Sequence, residues 1–321
     1  MSETTLERSP LRPPLGSPRR GRKPSARPVW EEQPSVVGQT GKGVVLVIVA
    51  AAVLVPLYAI IITSLSDKGT INRAGGLVLI PRHLTLAAYR IIIAGGVVTR
   101  SLAITFGITI VGTAISMAAS VLCAYGLSRA RSFGHRVILI LLIITMFVSG
   151  GLIPTFLVVV KLGGFDKYWA LLLPTAISVF NILVLRAFYS GTTADLIDAA
   201  RIDGASEWRI LWSIVLPTSR AVTAVIALFY AVGYWNTFFS VILYMGADSP
   251  KWPIQYVLYQ YVTLGTTMPD VANSGISTTT SYTPLSLSMA VVVLTLLPVV
   301  IVYPFMQRFF TSGVLTGAIK G

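Results

Sequence analysis

The feature that most limits what this chain can fold into is a set of six long apolar runs. They lie at about 43–65, 98–126, 136–160, 168–190, 219–244 and 285–307, and none contains an Asp or Glu. About 20 consecutive apolar residues carry an α-helix across the hydrocarbon core of a bilayer. Hydrophobic residues make up 54% of the chain and charged residues 12%, the latter about half the soluble norm. A water-soluble domain of this size has no interior for that much apolar surface. The expected fold is therefore all-α: a polytopic membrane protein with six transmembrane helices. Gly interrupts the second and third runs, and Pro154 the third. Membrane helices tolerate such breaks where neighbours satisfy the freed backbone groups.

The net charge of +13 invites a nucleic-acid reading, and its distribution argues against one. Eight basic residues fall in the first 42 positions, among Pro, Ser and Gly. Arg129, Arg131 and Arg136 join the second and third runs; Arg186, Arg201, Arg209 and Arg220 flank or occupy the loop between the fourth and fifth; Arg308 and Lys320 follow the sixth. These alternate loops share one side of an even-numbered bundle, the positive-inside pattern, which makes both termini cytoplasmic. One loop dissents, since Lys68, Arg73, Arg82 and Arg90 fall on the expected outside. The expected organisation is a disordered basic cytoplasmic tail over 1–40, touching anionic membrane lipid, a first transmembrane helix and external segment over 41–97, a core over 98–310 and a cytoplasmic tail over 311–321. The first run is too long for a signal-peptide core and is read as a retained span.

The most informative polar stretch is Asp198–Pro217, DAARIDGASEWRILWSIVLP, with charges at Asp198, Arg201, Asp203, Glu207 and Arg209. Ala199, Ile202, Ala205, Trp208, Leu211 and Trp212 recur at three- and four-residue steps, which predicts a short amphipathic helix. Gly204 lies in its middle, where it costs about 1 kcal/mol relative to Ala and so signals a bend or a close approach. A charged, bent helix between two spans is a handle for something in the cytoplasm.

This stretch resembles the E-A-A loop of permease subunits of ATP-binding-cassette (ABC) importers. The matching residues are Asp198-Ala199-Ala200, Asp203-Gly204-Ala205 and Ile214-Val215-Leu216-Pro217, with Asp198 where the pattern has Glu. The resemblance runs from about Tyr89 to the C-terminus. FVSGGLIPTF (147–156), the ALLLP run ending at Pro174 and GAIKG (317–321) look like the carbohydrate-uptake branch, in particular the oligosaccharide and lipo-oligosaccharide permeases. It implies a type I ABC importer permease fold in a bacterial cell membrane and alternating access driven by ATP and Mg used by a partner ATPase. The implied partners are a cytoplasmic ABC ATPase dimer, a second homologous permease and an extracytoplasmic substrate-binding protein. The coupling helix then spans about 195–212, with Asp198, Ala199, Ala200, Asp203, Gly204 and Ala205 contacting the ATPase subunit.

Asn181 falls within the fourth run, where an amide either joins helices or faces a substrate path. Tyr230, Tyr234, Trp235 and Asn236 cluster near the end of the fifth. They form either an interfacial belt or a wall that stacks on sugar rings. Two outer segments, 66–97 and a longer polar 246–284, are expected partner surfaces. Gly38–Gly43 fails as a phosphate loop, because Val36 stands where its first Gly is required and Gly43 where Ser or Thr should follow Lys42. ATP binding is therefore expected elsewhere. His83 and His135 lie far apart in sequence, Cys123 stands alone, and no metal or catalytic constellation is expected. A secondary transporter would need acidic residues in its spans for ion coupling; the runs have none.

Overall fold

The computed structural model describes residues 36–129, 134–191, 194–247, 249–265 and 282–318. Most of the expected N-terminal tail and residues 319–321 lie outside the described residues. The chain divides into two compact units, Met1–Leu54 and Val55–Gly321. Regular structure among the described residues is helical throughout, apart from one isolated bridge between Ser66 and Leu84.

Three helices are continuous, long and apolar enough to cross a membrane: Gly38–Ser64 within α1 (Val36–Ser64), α4 (Val97–Leu127), and Pro284–Phe305 within the last helix. Three bent helix pairs are long and apolar enough only when each is taken together. α5 (His135–Phe147) and α6 (Leu152–Lys161) meet at 112° across Gly150-Gly151. The segment Trp169–Thr175, which opens with α7 (Trp169–Leu172), meets α8 (Val179–Gly191) at 52° just after Pro174. Glu207–Thr218 meets α12 (Arg220–Trp235) at 86° about Ser219. The count is three continuous helices, or six if each pair is one span. Two details differ from the sequence reading. Gly107 and Gly112 leave the second span unbroken, because α4 runs through them. The fifth run is not one helix to 244, because α12 stops at Trp235 and α13 (Phe239–Tyr244) starts anew.

Between α1 and α4 lie α2 (Lys68–Ala74), capped by the Asp67 side chain, and α3 (Ala87–Gly95). After α8 come α9 (Ala194–Ile202), α10 (Glu207–Ile210), a π turn at Leu211–Val215 and α11 (Leu216–Thr218). Pro217 has no N–H to offer the carbonyl four residues back and its ring crowds that carbonyl, so widening the preceding turn relieves both problems. The outer segment after α13 contains α14 (Ile254–Val262), where the sequence reading saw only a polar loop; α15 (Pro284–Ala318) closes the fold.

The core centres on α4 against α12. Ser116 and Ser120, one turn apart on α4, meet Tyr234 and Tyr230, one turn apart on α12, with hydroxyl pairs at 2.8 and 2.7 Å. The inverse order makes the two helices antiparallel. Gly112 continues the same stripe, and a β-carbon there would stand 2.8 Å from the Tyr234 ring, so only Gly permits the approach. Small residues plus interhelical hydroxyl bonds, each worth about 1 kcal/mol, are how helices associate in lipid. A second cluster joins α3, α14 and α15 through Ile91, Ile92, Ile254, Val257, Ala290 and Val291.

Candidate functional site

Two features qualify. The first is the loop at 194–218. α9 ends at Ile202, and Gly204 takes φ +75°. Ala205 N–H donates to Ala200 O and Gly204 N–H to Arg201 O, both at 3.0 Å. This is a Schellman cap, with Gly204 as the left-handed residue just past the helix. The single amphipathic helix expected across 198–212 is therefore two helices, and Gly204 ends the first. Its conformation explains the glycine; within this chain nothing lies within 4 Å of where a β-carbon would sit.

The expected apolar face also divides. Of its residues Leu211 is buried in the core and Ala205 half-buried against it, alongside Ala200, Ile210 and Val215, which the pattern had left off that face. Ala199 is exposed, and Ile202, Trp208 and Trp212 are 89%, 64% and 65% exposed. Of the two acids, Asp198 pairs with Arg201 of its own helix at 3.0 Å, and Asp203 is exposed. The sequence reading gave no role to Glu207, which organises the loop. Its carboxylate accepts from Tyr125 Oη at 2.5 Å, pairs with Arg129, and lies 3.4 Å from Arg201 Nε. The Arg129 guanidinium also covers the Tyr125 ring at 4.7 Å. Arg186 of α8 donates to Leu127 O at 2.8 Å, and Ser190 to Ser128 O at 3.2 Å. The loop is thus clamped to the C-terminal end of α4, to which α8 is also tied. The available signal was one acid at a helix start facing a basic loop that the charge pattern puts on the same side.

The second feature is a cleft of about 490 Å³ between α8 and α12. It gathers Asn181, Tyr230, Tyr234 and Asn236, with Thr175, Ser178 and Thr237 adding hydroxyls that the sequence reading missed. Trp235 is not among them. It lies about 100° round the helix from Tyr234, buried edge-on against Phe106 with ring centroids 5.1 Å apart. It therefore does not line this cleft.

The tyrosine hydroxyls are already engaged. Tyr234 Oη donates to Leu172 O at 3.1 Å, so Ser116 donates to it; Tyr230 Oη accepts from the Ser178 N–H at 3.1 Å. Both tyrosines are also buried in the core and form the floor of the cleft, so the ring surface open to a visitor is that of half-exposed Phe229 and Phe239. Asn236 donates to Val232 O at 2.8 Å and accepts from Gln255 of α14 at 3.3 Å. Asn181, largely buried on α8, lines the cleft. The lining carries no formal charge; aromatic rings, hydroxyls and amides suit a hydroxyl-rich surface. No cluster of potential metal ligands occurs among the described residues.

Comparison with known proteins agrees with this architecture. The family described as "Binding-protein-dependent transport system inner membrane component" matches residues 111–316. The polygalacturonan/rhamnogalacturonan transport system permease protein YtcP of Bacillus subtilis (strain 168) is 44% identical over 76% of this chain and 85% of its own length. Protein LplC of the same organism is 39% identical over 85% of this chain and 91% of its own. A crystal structure of a bacterial ABC transporter involved in the import of the acidic polysaccharide alginate contains a chain with TM-score 0.79 and 30% identity, matched over 85% of this chain and 96% of that one.

Proposed function

The chain belongs to the family of binding-protein-dependent transport system inner membrane components, and from that premise we propose that it is the permease subunit of an ATP-driven importer of oligosaccharides. The observation that carries the cargo class is the uncharged cleft of aromatic faces and amides between α8 and α12. The relatives named for polysaccharide transport support it.

The chain sits in the cell membrane with both termini cytoplasmic, as the basic loops imply. It pairs with a second homologous permease, a cytoplasmic ATPase dimer and an extracytoplasmic binding protein. ATP and Mg belong to the ATPase; this chain performs no covalent chemistry. The ATPase grips α9, α10 and the π turn around Gly204, where Ile202, Trp208 and Trp212 are three large apolar side chains that the chain itself leaves uncovered. Asp198, Ala199, Ala200, Asp203 and Ala205 shape the same handle. When the ATPase dimer closes, the loop moves as a unit with the end of α4, because Glu207 holds Tyr125 and Arg129. The α4–α12 pair carries that motion to the cleft, which opens outward to accept sugar and inward to release it. Asn181, Asn236 and the rings of Phe229 and Phe239 hold the cargo loosely in transit, over a floor formed by Tyr230 and Tyr234.

Asn181→Ala tests the path directly. Oligosaccharide uptake should fall at unchanged membrane abundance, with basal ATP hydrolysis near its original rate. Unchanged uptake in both Asn181→Ala and Asn236→Ala would remove the cleft from the path.

A further inference from the structure

The basic loop that runs against the charge pattern has a structural counterpart. Lys68, Arg73, Arg82 and Arg90 are all exposed, and none is ion-paired among the described residues. The only acid between α1 and α4 is Asp67, whose carboxylate is taken up capping α2 through Gly69 and Thr70 N–H at 3.2 Å each. Arg73 and Arg82 stand on one groove of about 360 Å³, between α2 and the segment 77–82. Hydrogen bonds fix its depth. Val78 N–H donates to Thr63 Oγ1 at 2.8 Å and Thr85 N–H to Leu65 O at 2.6 Å, so the segment lies level with the last turn of the α1 span. At that level Leu77, Leu79 and Ile80 are more than half exposed.

We propose that this groove binds an anionic phospholipid of the outer leaflet, with Arg73 and Arg82 on the phosphodiester and Leu77, Leu79 and Ile80 against the upper acyl chain. Guanidinium groups match phosphate oxygens in charge and fork geometry. Apolar side chains at the last turn of a span reach the acyl boundary while the arginines extend to the headgroups. A soluble partner docks above the headgroups and would leave these side chains uncovered. The binding site rests on the membrane reading alone; the outer leaflet rests also on the orientation proposed above.

The test uses the complete importer in nanodiscs of phosphatidylcholine with a minor fraction of phosphatidylglycerol. Native mass spectrometry counts the phosphatidylglycerol retained. Each basic residue near an anionic surface is worth about fivefold in affinity, so Arg73→Gln with Arg82→Gln should weaken retention roughly twenty-five-fold. Arg73→Lys with Arg82→Lys should keep most of it at an unchanged thermal melt. Should the glutamine pair fail to assemble, Leu79→Ser with Ile80→Ser should lower retention in its place. Equal retention by the wild type and every assembled variant would overturn the proposal. So would displacement by inorganic phosphate, the mark of a plain anion site. Unchanged retention with loss of binding-protein-stimulated ATP hydrolysis would assign the groove to the binding protein instead.

Discussion

Gly204 separates what the fold needs from what a partner needs. Its φ of +75° suits glycine, and a β-carbon at that position would have nothing of this chain within 4 Å. Gly204→Ala therefore costs the left-handed backbone alone, about 1–2 kcal/mol, mostly as fraying at the end of α9. Gly204→Asn should cost less, because Asn tolerates that region. Gly204→Trp has the backbone cost of Ala, and its bulk projects from the surface between exposed Ile202 and Trp208. The assay is a pair of measurements on the assembled complex, thermal melting and binding-protein-stimulated ATP hydrolysis. Ala and Trp variants should melt together. The Trp variant alone should lose stimulation, by about tenfold for each 1.4 kcal/mol of docking energy forfeited. If Trp stimulates as well as Ala, the ATPase does not approach Gly204 and the handle lies elsewhere. If Trp melts far below Ala, the space beside Gly204 is filled by the chain itself.

The Glu207 clamp predicts a coupling that a cycle of Arg129→Ala, Glu207→Ala and the double variant can read. About 1 kcal/mol is expected for a partly exposed pair joined by a tyrosine hydroxyl, and zero coupling would mean the pair is incidental. At the opposite end, Asp166 accepts from Lys251 Nζ and Ser249 Oγ, both at 2.6 Å, and these bonds hold its carboxyl below the ordinary range. A depressed folded-state value means that the latch contributes fully above the ordinary carboxylate value and is lost as pH falls through the folded one. The stability difference between wild type and Asp166→Asn should thus be flat from pH 7 to 5 and shrink below about pH 4; a difference that shrinks near neutrality would contradict this origin. Orientation is checked with single cysteines in a Cys123→Ser background. An impermeant reagent outside intact cells should modify Leu264→Cys and spare Arg209→Cys, and the reverse would invert the topology.

Membrane character was legible because span length alone reports it, and the bends at Gly150-Gly151 and Pro174 had signals in the chain. The break after Trp235 had one short signal, Asn236-Thr237, since Asn is favoured just past a helix end, but in an apolar run the same pair reads equally well as part of a polar wall. The loop misled for a different reason. Ile202, Trp208 and Trp212 keep a helical spacing across Gly204, yet the structure leaves all three facing outward while Ile210 and Leu211 enter the core. Spacing located apolar residues but not which surface would cover them. Helix α14 was hidden by averaging its Tyr-rich turns with the Gly, Ser and Thr that follow. The cleft was half legible, since Tyr230, Tyr234 and Asn236 fall within two turns. Its other wall, from Thr175 to Asn181, comes from a different span, and a single sequence does not pair spans. The matching spacing of Ser116 and Ser120 with Tyr230 and Tyr234 was available and is what brings α4 to α12.

The most direct measurement is uptake by proteoliposomes containing the two permeases and the ATPase, loaded inside with ATP and Mg and given the binding protein and a labelled oligosaccharide outside. Accumulation of the sugar above its external concentration, abolished when a non-hydrolysable nucleotide replaces ATP, is the expected result. Accumulation driven by an imposed ion gradient with the ATPase omitted would contradict it.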